Sequence, residues 1–194
     1  MTAGPGLWIT GQSRSGTSMT AGLFAAHGVW FGRCKPADWY NPKGYFEHLE
    51  IVRRTGAKDM EGWPEAWWRT MEWEGYQDGP WAIKRGPASW PWIKPLAPAV
   101  VVVTHRPADQ ILGSRLRTFP DNTHQRRTMQ RVQARVDRVA AEAPCPVVRV
   151  DTSLLVAGEY QALLPAFDAL RVTFDPAVAA EWIDPGIWNR GAKP

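Results

Sequence analysis

Gly11-Gln12-Ser13-Arg14-Ser15-Gly16-Thr17-Ser18 is the stretch on which the fold of this chain turns. It keeps the two glycines and the final hydroxyl of the phosphate-cradling pattern G-x-x-x-x-G-K-[ST], at that pattern's own spacing. Leu7 to Thr10 before it is a short apolar run that stops at Gly11, and Thr17 to His27 after it carries apolar residues at helical spacing. Strand, loop and helix are therefore expected in that order. Glycine permits positive backbone angles that turn successive N–H groups inward, and the helix N-terminus adds partial positive charge, so such a loop is suited to an anion. The pattern's lysine is missing, because Thr17 stands in its place. An ordinary ATPase or kinase is disfavoured by that loss, and the cation on the loop itself is Arg14.

Beyond the loop, strands and helices alternate. Val29 to Phe31 suggests a second short strand, 32–44 a loop carrying Pro36, Pro42 and Gly44, and Phe46 to Met60 and Pro64 to Glu74 two helices. Trp81 to Lys84 reads as a strand closed by Gly86 and Pro87, with a short helix up to Lys94. Ala99 to Thr104, with four consecutive valines, has the unbroken β-branched run of a parallel strand buried on both faces. Pro107 can open the next helix. Asn122 to Ala143 is a long helix with Met129, Val132, Val136 and Val139 on one face, and its arginines 126, 127, 131, 135 and 138 read as a solvated surface. Pro146 to Val150 is a strand, Tyr160 to Leu170 a helix, and Arg171 to Phe174 a short final strand. This order implies one domain over residues 1–194, a three-layer α/β/α fold with a mainly parallel central sheet.

Composition limits the classes. The 194 residues are 44% hydrophobic and 22% charged, near globular averages, which excludes wholesale disorder. A net charge of +4 suits an anionic ligand but lacks the dense basic blocks of nucleic-acid arms, so no nucleic-acid partner is expected. Cys34 and Cys145 are far apart and form no CxxC pattern, so neither a disulfide framework nor a zinc site is indicated. Met1 to Thr10 lacks a signal-peptide pattern and no run of about 18 apolar residues occurs, so a cytoplasmic protein without a membrane anchor is expected.

Ser13 to Ser18 resembles the 5'-phosphosulfate loop of the sulfotransferase family, in which Lys or Arg precedes Ser-Gly-Thr-Thr/Ser. The resemblance implies a P-loop nucleoside triphosphate hydrolase-like fold and the co-substrate 3'-phosphoadenosine 5'-phosphosulfate. It also implies that Arg14, Ser15, Gly16, Thr17 and Ser18 hold the 5'-phosphosulfate. Arg106-Pro107-Ala108-Asp109 with Ser114 is similar to the family's 3'-phosphate motif, and Arg106 and Ser114 are the pair it implies. Asn189-Arg190-Gly191 is faintly similar to the basic loop that closes over that phosphate, which adds Arg190. Val147 to Leu155 is similar to a family segment in which a strand ends in an acidic residue. The rival reading makes Asp151 a magnesium-binding acid, as in P-loop kinases.

For transfer to an acceptor hydroxyl or amine, the leaving phosphate needs cations and the acceptor needs a base. Arg14 and Lys84, the latter resembling the family's lysine before a proline, supply the cations. The histidine that cytosolic aryl and steroid members carry in this segment is absent from Lys84-Arg85-Gly86-Pro87. Asn41 to Glu47 looks like a segment of bacterial members, so Glu47, at the start of the expected helix, is the candidate base, with His48 and His105 as competitors. No metal is implied. Trp63, Trp67, Trp68, Trp73, Trp81, Trp90 and Trp92 either pack or contact a small-molecule or glycan acceptor. A small P-loop kinase and a non-catalytic phosphonucleotide-binding module are the alternatives.

Overall fold

The computed structural model describes residues 3–58, 61–118 and 125–188. In chain order the elements are β1 (Gly6–Gly11), α1 (Thr17–Ala26), α2 (Leu49–Ala57), α3 (Glu65–Trp73), β2 (Trp81–Lys84), α4 (Trp90–Ile93), β3 (Val100–His105), α5 (Ala108–Thr118), α6 (Gln125–Glu142), β4 (Val147–Asp151), α7 (Thr152–Val156), α8 (Leu164–Leu170), α9 (Pro176–Trp182) and α10 (Pro185–Trp188). The strands form one parallel sheet in the order β2-β1-β3-β4.

Strand alternation sorts the apolar side chains into two layers. Leu7, Ile9, Val100, Val102, Val148 and Val150 pack on one face with Leu23 and Phe24 of α1 and Phe167 and Leu170 of α8. Trp8, Trp81, Ile83, Val101 and Val103 pack on the other with Trp67 and Met71 of α3, Ile93 of α4, and Val136 and Val139 of α6. Helices therefore cover both faces of the sheet, giving the three-layer α/β/α architecture. Val100 to Val103 are at most 1% exposed, as the valine run requires. The α6 arginines 126, 127, 131, 135 and 138 are exposed.

Three expectations are corrected. Val29 to Phe31 contributes a single bridge, Trp30 to Trp81, instead of a strand. Arg171 to Phe174 is irregular: Arg171 has φ 57 and ends α8, and no strand follows. The helix expected from Phe46 begins at Leu49, because Phe46 has φ 56 and the backbone of 47–49 is already paired. Lys35 donates its N–H to the Glu47 carbonyl at 2.9 Å, and Leu49 donates to the Arg33 carbonyl at 2.9 Å. His48 then caps α2, its Nδ1 accepting the Glu50 N–H at 3.2 Å. Residues 35–47 thus form a strap closed at its base, not a helix start. Of the long helix expected from Asn122, residue 122 itself lies outside the described residues, and so does Met60.

The strand order reverses its direction of growth between β1 and β3. Ligand crevices of open parallel sheets lie at such a switch, beyond the carboxyl ends of the strands. Gly11, Lys84 and His105 end their strands on that edge.

Candidate functional site

A cleft of about 710 Å³ opens there. Its floor is the turn after β1 and the start of α1, its walls are the residues following β2 and β3 together with α5, and its outer side is the strap with Trp182 and Asp184.

The turn is held in shape from behind. Ser15 is fully buried, and its hydroxyl lies 2.7 Å from both the Gln12 carbonyl and the Thr104 hydroxyl. Its N–H donates to the Gln12 carbonyl at 3.1 Å. Thr152, at the junction of β4 and α7, places its hydroxyl 2.9 Å from the Ser15 carbonyl. Arg14 and Gly16 have φ 74 and 85. A Cβ on Gly16 would stand 2.8 Å from a Thr152 methyl, so glycine is required there both for its backbone angle and for space. No side chain caps α1. Its first N–H groups, which no helix carbonyl can reach, are left at the cleft that Gly16, Thr17 and Ser18 line.

Lys84 ends β2 with 6% of its surface exposed, and its Nζ donates to Ser18 Oγ at 3.0 Å, the Tyr45 carbonyl at 2.9 Å and Glu47 Oε1 at 3.0 Å. Burial pulls its pKa below the ordinary lysine value, against the opposing pull of Glu47. The other oxygen of Glu47 meets Arg85 Nη1 at 3.2 Å, and Arg85 Nη2 donates to Thr55 Oγ1 of α2 at 2.9 Å. One carboxylate therefore binds two cations, one of which touches the anion turn. On the strap, Tyr45 donates its hydroxyl to Asp38 at 2.8 Å, and burial followed by that bond raises the phenol to about 12. Lys35 sits 3.9 Å over the Tyr45 ring, while Lys43 sits 4.7 Å over Trp182 and donates to its carbonyl.

After β3, Arg106, 9% exposed, donates Nε to Gln110 Oε1 at 2.8 Å, and Ser114 lines the same cleft from α5. Burial, then the nearby Arg14 charge, lowers the Arg115 pKa. Arg14, Lys35, Lys43, Lys84, Arg85 and Arg106 line the cleft against Asp38, Glu47 and Asp184. This excess of cations, together with the open end of α1, favours a ligand with more than one negative charge.

No protein-family model matches the chain. No curated protein matches it either. Among solved structures, the crystal structure of TT1252 from Thermus thermophilus aligns with 94% of this chain and 100% of that one, at a TM-score of 0.45 and 14% identity.

Of the residues expected from the sequence, Arg14, Gly16, Thr17, Ser18, Glu47, Lys84, Arg106 and Ser114 all line this cleft. Ser15 does not: its hydroxyl and N–H are spent inside the turn, so it shapes the turn without facing the cleft. Arg190 lies outside the described residues. His48 is 1% exposed, with Nδ1 on the Glu50 N–H and Nε2 3.0 Å from Glu74, so neither nitrogen addresses the cleft. His105 is half exposed, 4.0 Å from Asp151, and outside the lining. Asp151 caps α7 through the Ser153 N–H at 2.8 Å, which accounts for it without a magnesium ion. Among the described residues no group of three or more His, Cys, Asp or Glu is arranged for a metal, and no helix is long and apolar enough to cross a membrane.

The tryptophans of 63–92 also stay out of the cleft lining. Trp67 and Trp81 are buried, Trp90 stacks on Trp8 at 5.2 Å, and the aromatic residues that do line the cleft are Tyr40, Tyr45 and Trp182. Sequence reasoning missed Arg85, the strap side chains and the Trp182–Asp184 corner. Arg85 stood beside a residue already chosen, but nothing in the local pattern of Trp182 announced its place.

Proposed function

We propose that this chain is a sulfotransferase that moves the sulfuryl group of 3'-phosphoadenosine 5'-phosphosulfate to an acceptor hydroxyl or amine. The observation that carries the reading is one cleft that gathers two sets of anion-binding groups. Arg14 and Lys84 stand by the uncapped start of α1, and Arg106 and Ser114 line the same cleft from the residues after β3 and from α5. A donor with a phosphosulfate and a separate 3'-phosphate needs both sets; its 5'-group suits backbone N–H groups and its 3'-phosphate suits a guanidinium.

In this reading the acceptor oxygen attacks sulfur, the bond from sulfur to the bridging oxygen breaks, and the charge left on the 5'-phosphate is met by Arg14 and Lys84. Glu47 takes the acceptor proton. Lys84 holds Glu47 Oε1, so an anion at the turn competes for the ammonium and frees that oxygen for the acceptor.

Lys84 also favours a second reading. Its ammonium stands 3.0 Å from the Ser18 hydroxyl, beside the turn whose own lysine is missing, so a nucleoside triphosphate keeps a cation it would otherwise lack. Thermal stability under titration separates the two. A ligand at about 100 times its dissociation constant raises stability by roughly 2.7 kcal/mol. The sulfotransferase reading expects that rise with 3',5'-adenosine bisphosphate and a smaller one with ATP and magnesium. A preference for ATP defeats it.

A further inference from the structure

We propose that Arg85 is a positioning residue that keeps the Glu47 carboxylate at the cleft wall when Lys84 turns from it to a bound anion. The inference deepens the sulfotransferase reading and rests on it for the identity of the transferred group. The geometry behind it concerns any anion at the turn.

Lys84 has three N–H groups, and each has an acceptor: Ser18 Oγ, the Tyr45 carbonyl and Glu47 Oε1. An anion seated against the start of α1 adds a fourth acceptor. The ammonium must then release one of the others, and Glu47 is the partner with a second cation to fall back on. A carboxylate tied to one flexible ammonium would follow it toward the anion or swing to solvent, since Glu47 keeps about a quarter of its side chain exposed, 24%.

Arg85 prevents both movements. Its Nη1 reaches the oxygen of Glu47 that Lys84 does not use, and its Nη2 is anchored at 2.9 Å on Thr55 of α2. Its own N–H donates to the Ile9 carbonyl at 3.1 Å, so the backbone from which it projects is fixed to the sheet. A planar fork held at two points, on Glu47 and on Thr55, fixes the place of the carboxylate oxygen it grips, which a single ammonium does not. The division of labour is that Lys84 exchanges one of its three partners and Arg85 keeps both of its own.

The test is a set of crystal structures without ligand, with inorganic sulfate and with 3',5'-adenosine bisphosphate, for the wild type, Arg85→Ala, Arg85→Lys and Thr55→Val. In the wild type the anion takes Lys84 Nζ, and Glu47 stays within about 3 Å of Arg85, an ordinary hydrogen bond. In Arg85→Ala without ligand the Lys84–Glu47 pair persists, and with either anion Glu47 leaves its place. Arg85→Lys restores the place in part, and Thr55→Val loosens it without removing charge. A purely structural role would instead alter the ligand-free protein. Glu47 staying put in the Arg85→Ala complexes, or leaving Arg85 in the wild-type complex, overturns the proposal. So does a wild-type site that takes neither anion, or one in which Lys84 keeps Glu47. If sulfate produces the exchange but the bisphosphate does not bind, Arg85 keeps its role and the sulfotransferase reading falls.

Discussion

The tryptophan layer and the cleft belong to the same sheet, one on its face and one at its carboxyl edge; the layer draws on tryptophans crowded into 63–92, while the cleft gathers cations from scattered segments. In the layer the indoles pack on one another: Trp68 meets Trp81 edge-on at 5.4 Å, Trp8 and Trp90 stack within 8° of parallel, and Trp81 Nε1 donates to the Gly4 carbonyl. Along the cleft six lining cations face three carboxylates, and a helix opens there without a side-chain cap. A concentration of one residue type therefore signals function only where its members line a surface that a ligand can reach. The layer is buried, and even the indole N–H groups of Trp8, Trp67 and Trp92 that lack a hydrogen-bond partner among the described residues lie in the core, whereas the cations of the cleft line an opening.

The most severe way to break that contrast is Trp67→Ala. Trp67 is fully buried, touching Trp63, Trp81 and His48. Deleting a buried tryptophan side chain costs about 3–5 kcal/mol. Urea unfolding measures the loss, and bisphosphate affinity of the folded variant should stay within about twofold, a change below 0.5 kcal/mol. A large loss of affinity with little loss of stability would make the layer part of the ligand site. Arg106→Ala is the opposite case. Losing one charge-assisted hydrogen bond costs about 1.5–3 kcal/mol, or roughly 10- to 150-fold in binding. Isothermal titration should show that loss for 3',5'-adenosine bisphosphate and far less for adenosine 5'-phosphosulfate, which has no 3'-phosphate. Equal losses would remove Arg106 from its 3'-phosphate role.

The same contrast explains how much could be read in advance. The loop from Gly11 to Ser18 and the valines of β3 were legible because their patterns are local: glycine spacing, β-branching and the residues on either side. Of the expected residues that line the cleft, Arg14, Gly16, Thr17 and Ser18 come from that loop. The strap was illegible because its conformation is decided at a distance. Residues 46–57 favour a helix locally, but pairing with 33–35 and the cap at His48 take the first three positions out of it. Ser15 was assigned to the ligand because its neighbours are. Its hydroxyl turns inward to Thr104, 89 residues away, a partner no local pattern encodes. Trp182 likewise reaches the cleft only because its Nε1 donates to the Met19 carbonyl of α1.

The strap's base offers a middle-sized test through pH. Burial, partly offset by Glu74, lowers the His48 pKa from 6.5, so the folded protein holds this ring neutral. Between the folded value and 6.5 the unfolded chain binds the proton that the folded chain refuses, so stability falls as pH drops below 6.5 and is unaffected by this group above it. One proton gives at most about 1.4 kcal/mol per pH unit. Denaturant midpoints across pH 4–8 should show that limb in the wild type and lose it in His48→Asn, which can still cap α2. A limb unchanged in the variant would assign the effect elsewhere.

The smallest expected effect comes from the solvent side of α2, where charges are paired and nothing is buried deeply enough to matter much. Glu50 accepts from Arg53 at 2.7 Å and from Arg54 at 2.8 Å, and the Arg53 bond, ahead of the opposing effect of burial, lowers its pKa from 4.5 to about 2. A depressed carboxylate gives stability that is present in full above pH 4.5 and is lost as pH falls toward 2. Taken at face value such a shift would exceed about 3 kcal/mol, but although 22% of this side chain is exposed, its Arg53 partner is 59% exposed, and ion pairs on helix surfaces measure about 0.3–0.5 kcal/mol each. Glu50→Gln should therefore lower stability by about 0.5–1 kcal/mol at pH 7 and by nothing measurable at pH 2. Added salt should shrink the difference further, as it does for exposed pairs. A loss of several kcal/mol at neutral pH would mean that α2 holds the strap through this carboxylate, and would move Glu50 from the matched surface to the machinery of the cleft.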